Sequence, residues 1–315
     1  GNYDKTFIVE TYDAILKSKG IRDELQPDFI IRFGAMPVSK PYLFYVKENR
    51  HIPQFVVEAE EGYRDPTLSP TKFIYAEPTA LCEKLEQFDL AMDEQWTSMW
   101  LKMNEMAREQ LASVTPMLTE GHTVTIMQEL FNDEHILFTG NSMPVRDVDT
   151  FFLNTDKDVT ILGNRGVNGI DGIVSSAVGA AAHGKKVTLL IGDLSLFHDL
   201  NGLLVAKQYN LDITIVLINN NGGGIFSFLS QAEEKKHFEV LFGTPLHLSF
   251  EKAAEMYEAN YSCIESWDQF RKGLSNAYET GGIHLLEIKT NREENVRWHR
   301  GEWAKIEEHI LKLFR

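Results

Sequence analysis

The spacing of apolar and polar residues changes about a third of the way along the chain. Short apolar stretches separated by prolines lie at residues 29–33, 42–46 and 54–57. They predict short strands and turns, with helices such as residues 3–17 between them. Residues 78–111 carry apolar side chains at helical spacing and end before Pro116, so we predict an amphipathic helix that connects two domains.

Beyond this connector, short and almost wholly apolar segments alternate with helical patterns. The strand-like segments are residues 136–139, 187–191, 213–218 and 284–289, and the helical ones are residues 172–182, 199–209 and 250–257. This alternation indicates a parallel sheet covered on both faces. We therefore predict a smaller α/β domain with its connecting helix over residues 1–118, and a doubly wound parallel α/β domain over residues 119–315.

The C-terminal end of the chain also has a helical pattern. Its apolar residues are Trp303, Ile306, Ile310, Leu313 and Phe314. We predict a helix that packs on the sheet of its own domain, with a partner-binding surface as the alternative.

The charge balance excludes several classes of partner. Acidic residues outnumber basic ones by 46 to 31, which gives a formal net charge of −15, so most of the surface repels nucleic-acid backbones and anionic lipids. Cys82 and Cys263 form no metal-ligand pattern, and residues 213–218 are too short to span a bilayer. With no signal pattern, we expect a soluble cytoplasmic protein. Because the chain begins with Gly1, we expect a piece of something larger.

The candidate chemistry lies in loops that follow predicted strands, where open α/β sheets bind ligands. We expect three such loops on one rim: Gly140-Asn-Ser-Met-Pro-Val-Arg146, Gly192-Asp-Leu-Ser195 and Asn219-Asn-Asn-Gly-Gly-Gly-Ile-Phe226. Asp193 offers a carboxylate, Asn220 a second side-chain oxygen, and Gly222 a carbonyl that can approach a metal closely. Together they suit a diphosphate clamped by Mg²⁺. Each segment by itself is equally compatible with an ordinary turn or flexible loop.

The last two loops resemble the pyrophosphate-binding motif of thiamine-diphosphate-dependent decarboxylases and synthases. In that family an Asp, an Asn and a backbone carbonyl two residues later hold Mg²⁺. The resemblance implies these roles for Asp193, Asn220 and Gly222, with Mn²⁺ as an alternative ion. The residues that it implies near the phosphates are Gly192, Leu194 and Ser195; Leu194 stands where the motif usually has Gly.

Five segments in this order resemble one family of these enzymes, the 2-succinyl-5-enolpyruvyl-6-hydroxy-3-cyclohexene-1-carboxylate synthases of menaquinone biosynthesis. They are Arg32-Phe-Gly-Ala-Met-Pro-Val-Ser-Lys40, residues 140–146, Asn164-Arg-Gly-Val-Asn-Gly-Ile-Asp-Gly172, and residues 192–201 and 219–227. The resemblance implies a central domain of the transhydrogenase domain III type over residues 1–118, followed by the thiamine-diphosphate-binding domain. It also implies decarboxylation of 2-oxoglutarate and 1,4-addition of the succinyl carbanion to isochorismate, with the cofactor performing the covalent chemistry.

The same resemblance implies which residues meet these two anionic substrates. They are Lys40, Ser142, Arg146 and Arg165; the basic residue that the family places after Lys40 is Pro41 here. Arginine suits bidentate recognition of carboxylates. Ile170 matches the apolar residue that supports the bent form of the cofactor, although a core residue at a helix start is the alternative. The apolar wall expected to exclude water consists of Ile225, Phe226 and Leu229, of which Ile225 also contacts the cofactor.

In this family a glutamate of an N-terminal pyrimidine-binding domain activates the cofactor, and subunits of a homodimer or tetramer share the active site. Nothing in the chain resembles that domain. We therefore expect the 315 residues to carry half of a site and to be inactive alone.

Other classes of function fit the sequence less well. Residues 179–186 nearly spell a P-loop, but Lys186 stands where Ser or Thr binds Mg²⁺, and the segment precedes a strand. No dinucleotide-binding glycine motif opens a helix after a strand. Two alternatives stay open. One is another thiamine-diphosphate-dependent 2-oxo-acid decarboxylase or acetolactate-type synthase, and the other is a silent assembly module.

Overall fold

The computed structural model describes residues 3–62, 64–69, 71–88, 93–167 and 169–315. Gly1, Asn168 and residues 89–92 of the predicted connecting helix lie outside the described residues. The chain divides into two compact units. The smaller unit holds Lys5–Leu111 and Glu302–Arg315, and the larger unit holds Ala112–Gly301 with Tyr3 and Asp4.

The smaller unit is built on a parallel sheet. Its strands are β1 (Ile30–Phe33), β2 (Gln54–Glu58) and β3 (Thr71–Tyr75), which pair in that order. Ile31 lies opposite Phe55 in the register of the first pair. The strands predicted at residues 29–33 and 54–57 are thus confirmed, and β3 is an addition to them.

The first part of the chain also contains helices. They are α1 (Tyr12–Leu16), α2 (Lys19–Glu24), α3 (Lys40–Glu48), α4 (Pro78–Leu85) and α5 (Glu94–Ala112). The prediction of a strand at residues 42–46 is wrong, because they lie in α3. There the Ser39 hydroxyl accepts a hydrogen bond of 3.1 Å from the Tyr42 N–H, and Pro41 occupies the first turn. Both features favour the start of a helix.

The helix predicted at residues 3–17 is wrong over most of its length. Regular helix begins only at Tyr12. Ser18 then caps a second helix, with its hydroxyl accepting a hydrogen bond of 3.1 Å from the Ile21 N–H. Ser18 therefore separates two short helices. The spacing of apolar residues at the start of the chain does not reveal this break.

The larger unit is built on a parallel sheet. Its strands are β4 (His135–Thr139), β5 (Val159–Leu162), β6 (Val187–Gly192), β7 (Ile213–Asn219), β8 (Asn260–Ile264) and β9 (Ile283–Lys289). They pair in the order β5-β4-β6-β7-β9-β8. Leu137, Leu189, Ile215 and Leu285, one from each central strand, are fully buried. The predicted α/β fold with a doubly wound parallel sheet is confirmed.

Helices flank this sheet. They are α6 (Glu120–Leu130), α7 (Met143–Phe151), α8 (Ile173–Ala181), α9 (Asp193–His198), α10 (Leu203–Tyr209), α11 (Lys235–Phe238), α12 (Phe250–Met256) and α13 (Trp267–Thr280). The last helix, α14 (Arg292–Ile310), begins in this unit, and its residues from Glu302 onward belong to the smaller unit. Ile173 of α8 and Leu203 of α10 belong to one buried cluster with Leu189 and Ile215 of the sheet. None of the helices that the structure describes combines the length and apolar content needed to cross a membrane.

The strand order reverses between β4 and β6. The chain passes from β4 to β5 on one side, and β6 then pairs with β4 on the other side. Such a switch point forms a crevice beyond the carboxyl ends of the strands. Because β4, β6 and β7 are parallel neighbours, the loops after Thr139, Gly192 and Asn219 lie on one rim, as predicted.

The C-terminal end of the chain packs within the smaller unit. Ile306 and Ile310 are buried there, and the Lys17 ammonium lies 4.5 Å from the centre of the Trp303 ring. The prediction that this helix packs on the larger sheet is wrong. Helical spacing reveals the apolar face of a helix but does not say which of two domains covers it.

Candidate functional site

A cavity of about 420 Å³ opens at the switch point of the larger sheet. The residues predicted for the site that line this cavity are Ser142, Arg146, Arg165, Ile170, Gly192, Asp193, Leu194, Ser195, Asn220, Gly222, Ile225 and Phe226. They come from loops and helix starts that are far apart in sequence. The parallel strands bring them together because the carboxyl ends of β4, β6 and β7 share one rim.

Two of the predicted site residues do not line this cavity. Leu229 is half-buried and follows the short 3₁₀ turn Gly224–Phe228. Lys40 belongs to the smaller unit, where its ammonium lies 5.5 Å from the centre of the Phe44 ring. The assignment of both residues to the site stays a prediction.

Asp193 is the first residue of α9 and is only 2% exposed. Its Oδ2 accepts a hydrogen bond of 2.8 Å from the Gly222 N–H. Burial raises the pKa of this carboxyl to about 6, although the N–H groups of Leu194 and Gly222 and the charge of Arg292 act in the opposite direction. The carboxylate is therefore poorly solvated, and a cation beside it would compensate for the lost water.

The side-chain amide of Asn220 has one satisfied end and one unsatisfied end. Its Nδ2 donates a hydrogen bond of 3.0 Å to Oε1 of Glu120. Among the described residues, no group donates to its buried Oδ1. A buried acceptor without a partner costs about 1–3 kcal/mol. A cation that took Oδ1 as a ligand would remove this cost, and the orphaned oxygen therefore fits a metal site.

Gly222 adopts a backbone conformation that other residues rarely reach. Its φ is +141°, and a Cβ at this position would lie 2.1 Å from the carbonyl oxygen of Gly243. Glycine alone meets both constraints. The conformation brings the Gly222 N–H to Asp193, and it places the Gly222 backbone in the cavity wall.

No group of three or more His, Cys, Asp or Glu side chains in the described part of the chain forms a metal cluster. The cavity wall offers a different set of groups: the carboxylates of Asp193 and Glu120, the unsatisfied amide oxygen of Asn220 and the backbone of Gly222. Hard divalent cations such as Mg²⁺ accept this kind of mixed set.

Two arginines line the cavity on its β4 side. Nη1 of Arg146 donates a hydrogen bond of 2.6 Å to the Ser142 carbonyl, and Arg165 donates to Oδ1 of Asn141. Burial lowers the pKa of the Arg165 guanidinium. Asn141 also donates a hydrogen bond of 2.9 Å to the Asn164 carbonyl. This buried amide thus connects the two arginine-bearing loops and holds their positions.

Ser142 has a strained backbone. Its φ is 71° and its ψ is −129°, and its side chain makes no capping hydrogen bond to α7. A non-glycine residue with positive φ costs free energy that the surrounding fold must supply, and such residues concentrate at functional sites. The strain supports a functional role for this edge of the cavity.

Apolar side chains form another part of the cavity wall. Ile170 packs against the buried cluster of the larger sheet. Ile225 and Phe226 lie in the turn Gly224–Phe228, and the Phe226 ring centre is 5.4 Å from that of Phe242. The cavity therefore has a charged side and an apolar side.

Sequence reasoning missed Glu120, which also lines the cavity and is 1% exposed. Burial and the nearby charge of Asp147 raise its pKa to about 7, against the hydrogen bonds from Asn220 and Thr290. Glu120 and Asn220 are 100 positions apart, so no local motif connects them. Asn141 was missed as well, although it lies inside a loop that the sequence singled out.

Comparison with known proteins leads to the same part of the chain. Residues 151–288 match the family described as thiamine pyrophosphate enzyme, C-terminal TPP binding domain. This segment contains Asp193, Asn220 and Gly222 and most of the cavity wall.

Relatives match the chain over nearly its whole length. It is 52% identical to the 2-succinyl-5-enolpyruvyl-6-hydroxy-3-cyclohexene-1-carboxylate synthase of Oceanobacillus iheyensis, over 99% of this chain and 55% of that protein. It is 47% identical to the protein of the same name from Geobacillus thermodenitrificans, over 99% of this chain and 54% of that protein. It is 44% identical to the Listeria monocytogenes protein of that name, over 97% of this chain and 54% of that protein. The chain thus spans just over half the length of these relatives.

Proposed function

We propose that this chain, which belongs to the family of thiamine-diphosphate-dependent 2-succinyl-5-enolpyruvyl-6-hydroxy-3-cyclohexene-1-carboxylate synthases, binds the diphosphate, the divalent cation and the substrates of such an enzyme. The observation that carries the proposal is the meeting of three groups in one cavity. They are the buried Asp193 carboxylate, the orphaned Oδ1 of Asn220 and the backbone of Gly222. The proposed reaction decarboxylates 2-oxoglutarate and adds the remaining succinyl unit to isochorismate, a step of menaquinone biosynthesis.

The donor set of the cavity fits Mg²⁺, which takes oxygen ligands. Asp193, Asn220 and the Gly222 carbonyl would hold the ion, and Mn²⁺ suits the same donors. The residues that we assign to the diphosphate are Gly192, Leu194 and Ser195, which line the cavity beside Asp193. When bound, thiamine diphosphate supplies the carbanion chemistry that removes a carboxyl group from a 2-oxo acid.

The charged side of the cavity would bind the substrate carboxylates. Both proposed substrates are anions, whereas the chain has a net charge of −15, so positive charge must be concentrated locally. Arg146 and Arg165 supply it, and their hydrogen bonds to Ser142 and Asn141 preorganise both guanidinium groups. We assign Ser142 and Lys40 to the same task.

The apolar side of the cavity would protect the reacting centre. Ile225 and Phe226 line it, and we propose that they and Leu229 keep water away from the reactive carbon, which water would otherwise protonate. Ile170 is fixed by the core beneath it. We propose that this fixed side chain supports the bent conformation of the cofactor.

We further propose that the chain acts in the cytoplasm as part of a homo-oligomer, a dimer or a tetramer. The exposed Cys82 and Cys263 are both free thiols, which supports a reducing compartment. The resemblance places the activating glutamate in a pyrimidine-binding domain of a neighbouring subunit. The 315-residue chain would then bind the cofactor but not turn over by itself.

Thermal unfolding with added ligands tests the proposal. Thiamine diphosphate and Mg²⁺ at 100 times their dissociation constant should together stabilise the chain by about 2.7 kcal/mol. Either ligand alone should give much less, since each completes the site of the other. A melting temperature that is the same with both ligands as with neither would contradict the proposed function.

A further inference from the structure

Glu120 is a buried carboxylate in the wall of the cavity, and the proposed function gives it no role. It is the first residue of α6, after Thr119, whose hydroxyl accepts a hydrogen bond of 3.3 Å from the His122 N–H. Only 1% of its surface is exposed. A carboxylate in such a place is costly unless donors surround it.

Two side chains donate to the same oxygen of this carboxylate. Nδ2 of Asn220 lies 3.0 Å from Oε1 of Glu120, and Oγ1 of Thr290 lies 2.9 Å from it. Thr290 is itself fixed, because its N–H donates a hydrogen bond of 3.0 Å to the Asn219 carbonyl. Glu120 is therefore held against the ends of β7 and β9, next to the loop that begins with Asn220.

This contact selects one of two orientations of the Asn220 amide. A carboxylate only accepts hydrogen bonds, so it selects the NH₂ group of Asn220 and turns Oδ1 the other way. Gly224 leaves the space that the amide occupies, because a Cβ there would lie 2.6 Å from Nδ2. The flipped amide would set two acceptor oxygens against each other in a buried place.

We propose that Glu120 is a positioning residue for the divalent cation: it fixes the amide of Asn220 so that Oδ1 is presented to the ion. This inference rests on the proposed function, since it requires that Asn220 is a ligand. Partners of metal ligands commonly change metal affinity by about 10–100-fold when they are removed. Glu120 has this relation to Asn220 through the hydrogen bond between their side chains.

The test is a calorimetric titration of Mg²⁺ into the chain at a fixed excess of thiamine diphosphate, with the heat of titrating Mg²⁺ into thiamine diphosphate alone subtracted. Glu120→Ala should weaken Mg²⁺ binding by about 10–100-fold while the stoichiometry stays the same. Glu120→Gln should restore most of the affinity, because its Oε1 still accepts from Asn220 and Thr290. The matched control is Glu302→Ala, a buried carboxylate of the smaller unit that pairs with Lys305, which should bind Mg²⁺ as the wild type does.

A second variant keeps the test decisive if Glu120→Ala fails to fold. Thr290→Val removes one of the two hydrogen bonds to Oε1 and should weaken Mg²⁺ binding by about fivefold. An unchanged Mg²⁺ affinity in a folded Glu120→Ala chain, or in Thr290→Val, would overturn the inference. A lower number of Mg²⁺ ions bound per chain at unchanged affinity would also overturn it, because that result indicates a partly unfolded variant and hence a merely structural role for Glu120. If the wild type shows no Mg²⁺-dependent binding at all, the proposed function itself fails.

Discussion

The backbone N–H of Gly222 donates a hydrogen bond of 2.8 Å to the carboxylate of Asp193. The two residues follow neighbouring strands, β7 and β6, whose ends are in register at Gly192 and Ile218. The bond connects the acidic group of the proposed cation site to a loop residue whose backbone conformation, at φ +141°, requires glycine. The geometry of the site therefore depends on this backbone conformation.

Gly222→Ala should destabilise the chain and abolish Mg²⁺-dependent binding of thiamine diphosphate. The added Cβ would lie 2.1 Å from the Gly243 carbonyl oxygen, and we expect a loss on the order of 2–4 kcal/mol in the free energy of unfolding. Denaturant unfolding and calorimetry measure the two effects. Gly184→Ala is the control, because Gly184 also has positive φ but open space around it. It should lose about 1–2 kcal/mol and bind normally.

Arg146→Ala and Arg165→Ala should spare the cofactor and weaken the substrates. Arg146 and Arg165 line the cavity, but neither is among the proposed ligands of the cation. Removing a charged hydrogen bond to a substrate carboxylate costs about 1.5–3 kcal/mol. In a form of the protein that turns over, the KM for 2-oxoglutarate or isochorismate should rise by about 10–100-fold. Arg297→Ala, which removes an exposed arginine, should change neither constant. Unaltered KM values in both cavity variants would instead favour a decarboxylase with different substrates.

Acid should destabilise the chain through His135. This side chain is buried, and its Nε2 lies 2.9 Å from Oγ1 of Thr188. Burial, together with the charge of Lys186, lowers its pKa to about 4 from 6.5. The unfolded chain therefore binds more protons than the folded one between these values, and stability is lost as the pH falls from 6.5 to 4. The full effect is about 3 kcal/mol.

Chemical unfolding at a series of pH values measures this loss. His135→Gln, which keeps a hydrogen-bonding group near Thr188, should show a pH dependence that is flatter by about 3 kcal/mol over the same interval. His183→Gln changes an exposed histidine and should follow the wild-type curve. Parallel curves for the wild type and His135→Gln would show that His135 is not the group responsible.

The 315 residues should show no synthase turnover when tested alone with both substrates, thiamine diphosphate and Mg²⁺. The reason is that the resemblance assigns activation of the cofactor to a glutamate of a domain that these residues do not resemble. Release of CO₂ from 2-oxoglutarate is the sensitive measurement. Sustained release at a rate above that of free thiamine diphosphate is incompatible with this expectation.

The sequence predicts the four central strands of the larger sheet, β4, β6, β7 and β9, because they are short, apolar and separated by helices. It misses the two edge strands, β5 and β8, whose residues are mostly exposed. The sequence also identifies the loops that form the rim of the cavity, because these loops directly follow the predicted strands. It fails where local signals conflict: residues 42–46 have a strand-like composition, but Ser39 and Pro41 start a helix there. The position of the C-terminal helix depends on a choice between two domains, and apolar spacing cannot decide that choice.

The candidate site likewise has residues that the sequence predicts and residues that it does not. The positions of Asp193, Asn220 and Gly222 in the cavity wall follow from motif and strand order together. Glu120 could not be found in this way, because its contact with Asn220 joins positions 100 residues apart. A buried carboxylate that serves another side chain has no motif of its own, and only the packed structure reveals it.

Calorimetric titration of thiamine diphosphate into the wild type and into Asp193→Asn, with and without Mg²⁺, measures directly whether Asp193 holds the cation. The variant keeps an oxygen that can accept the Gly222 N–H but loses the negative charge. We predict saturable binding to the wild type that requires Mg²⁺, and at least about 100-fold weaker binding to Asp193→Asn. Binding that is independent of Mg²⁺, or equal in both proteins, would show that Asp193 does not hold the cation of a diphosphate site.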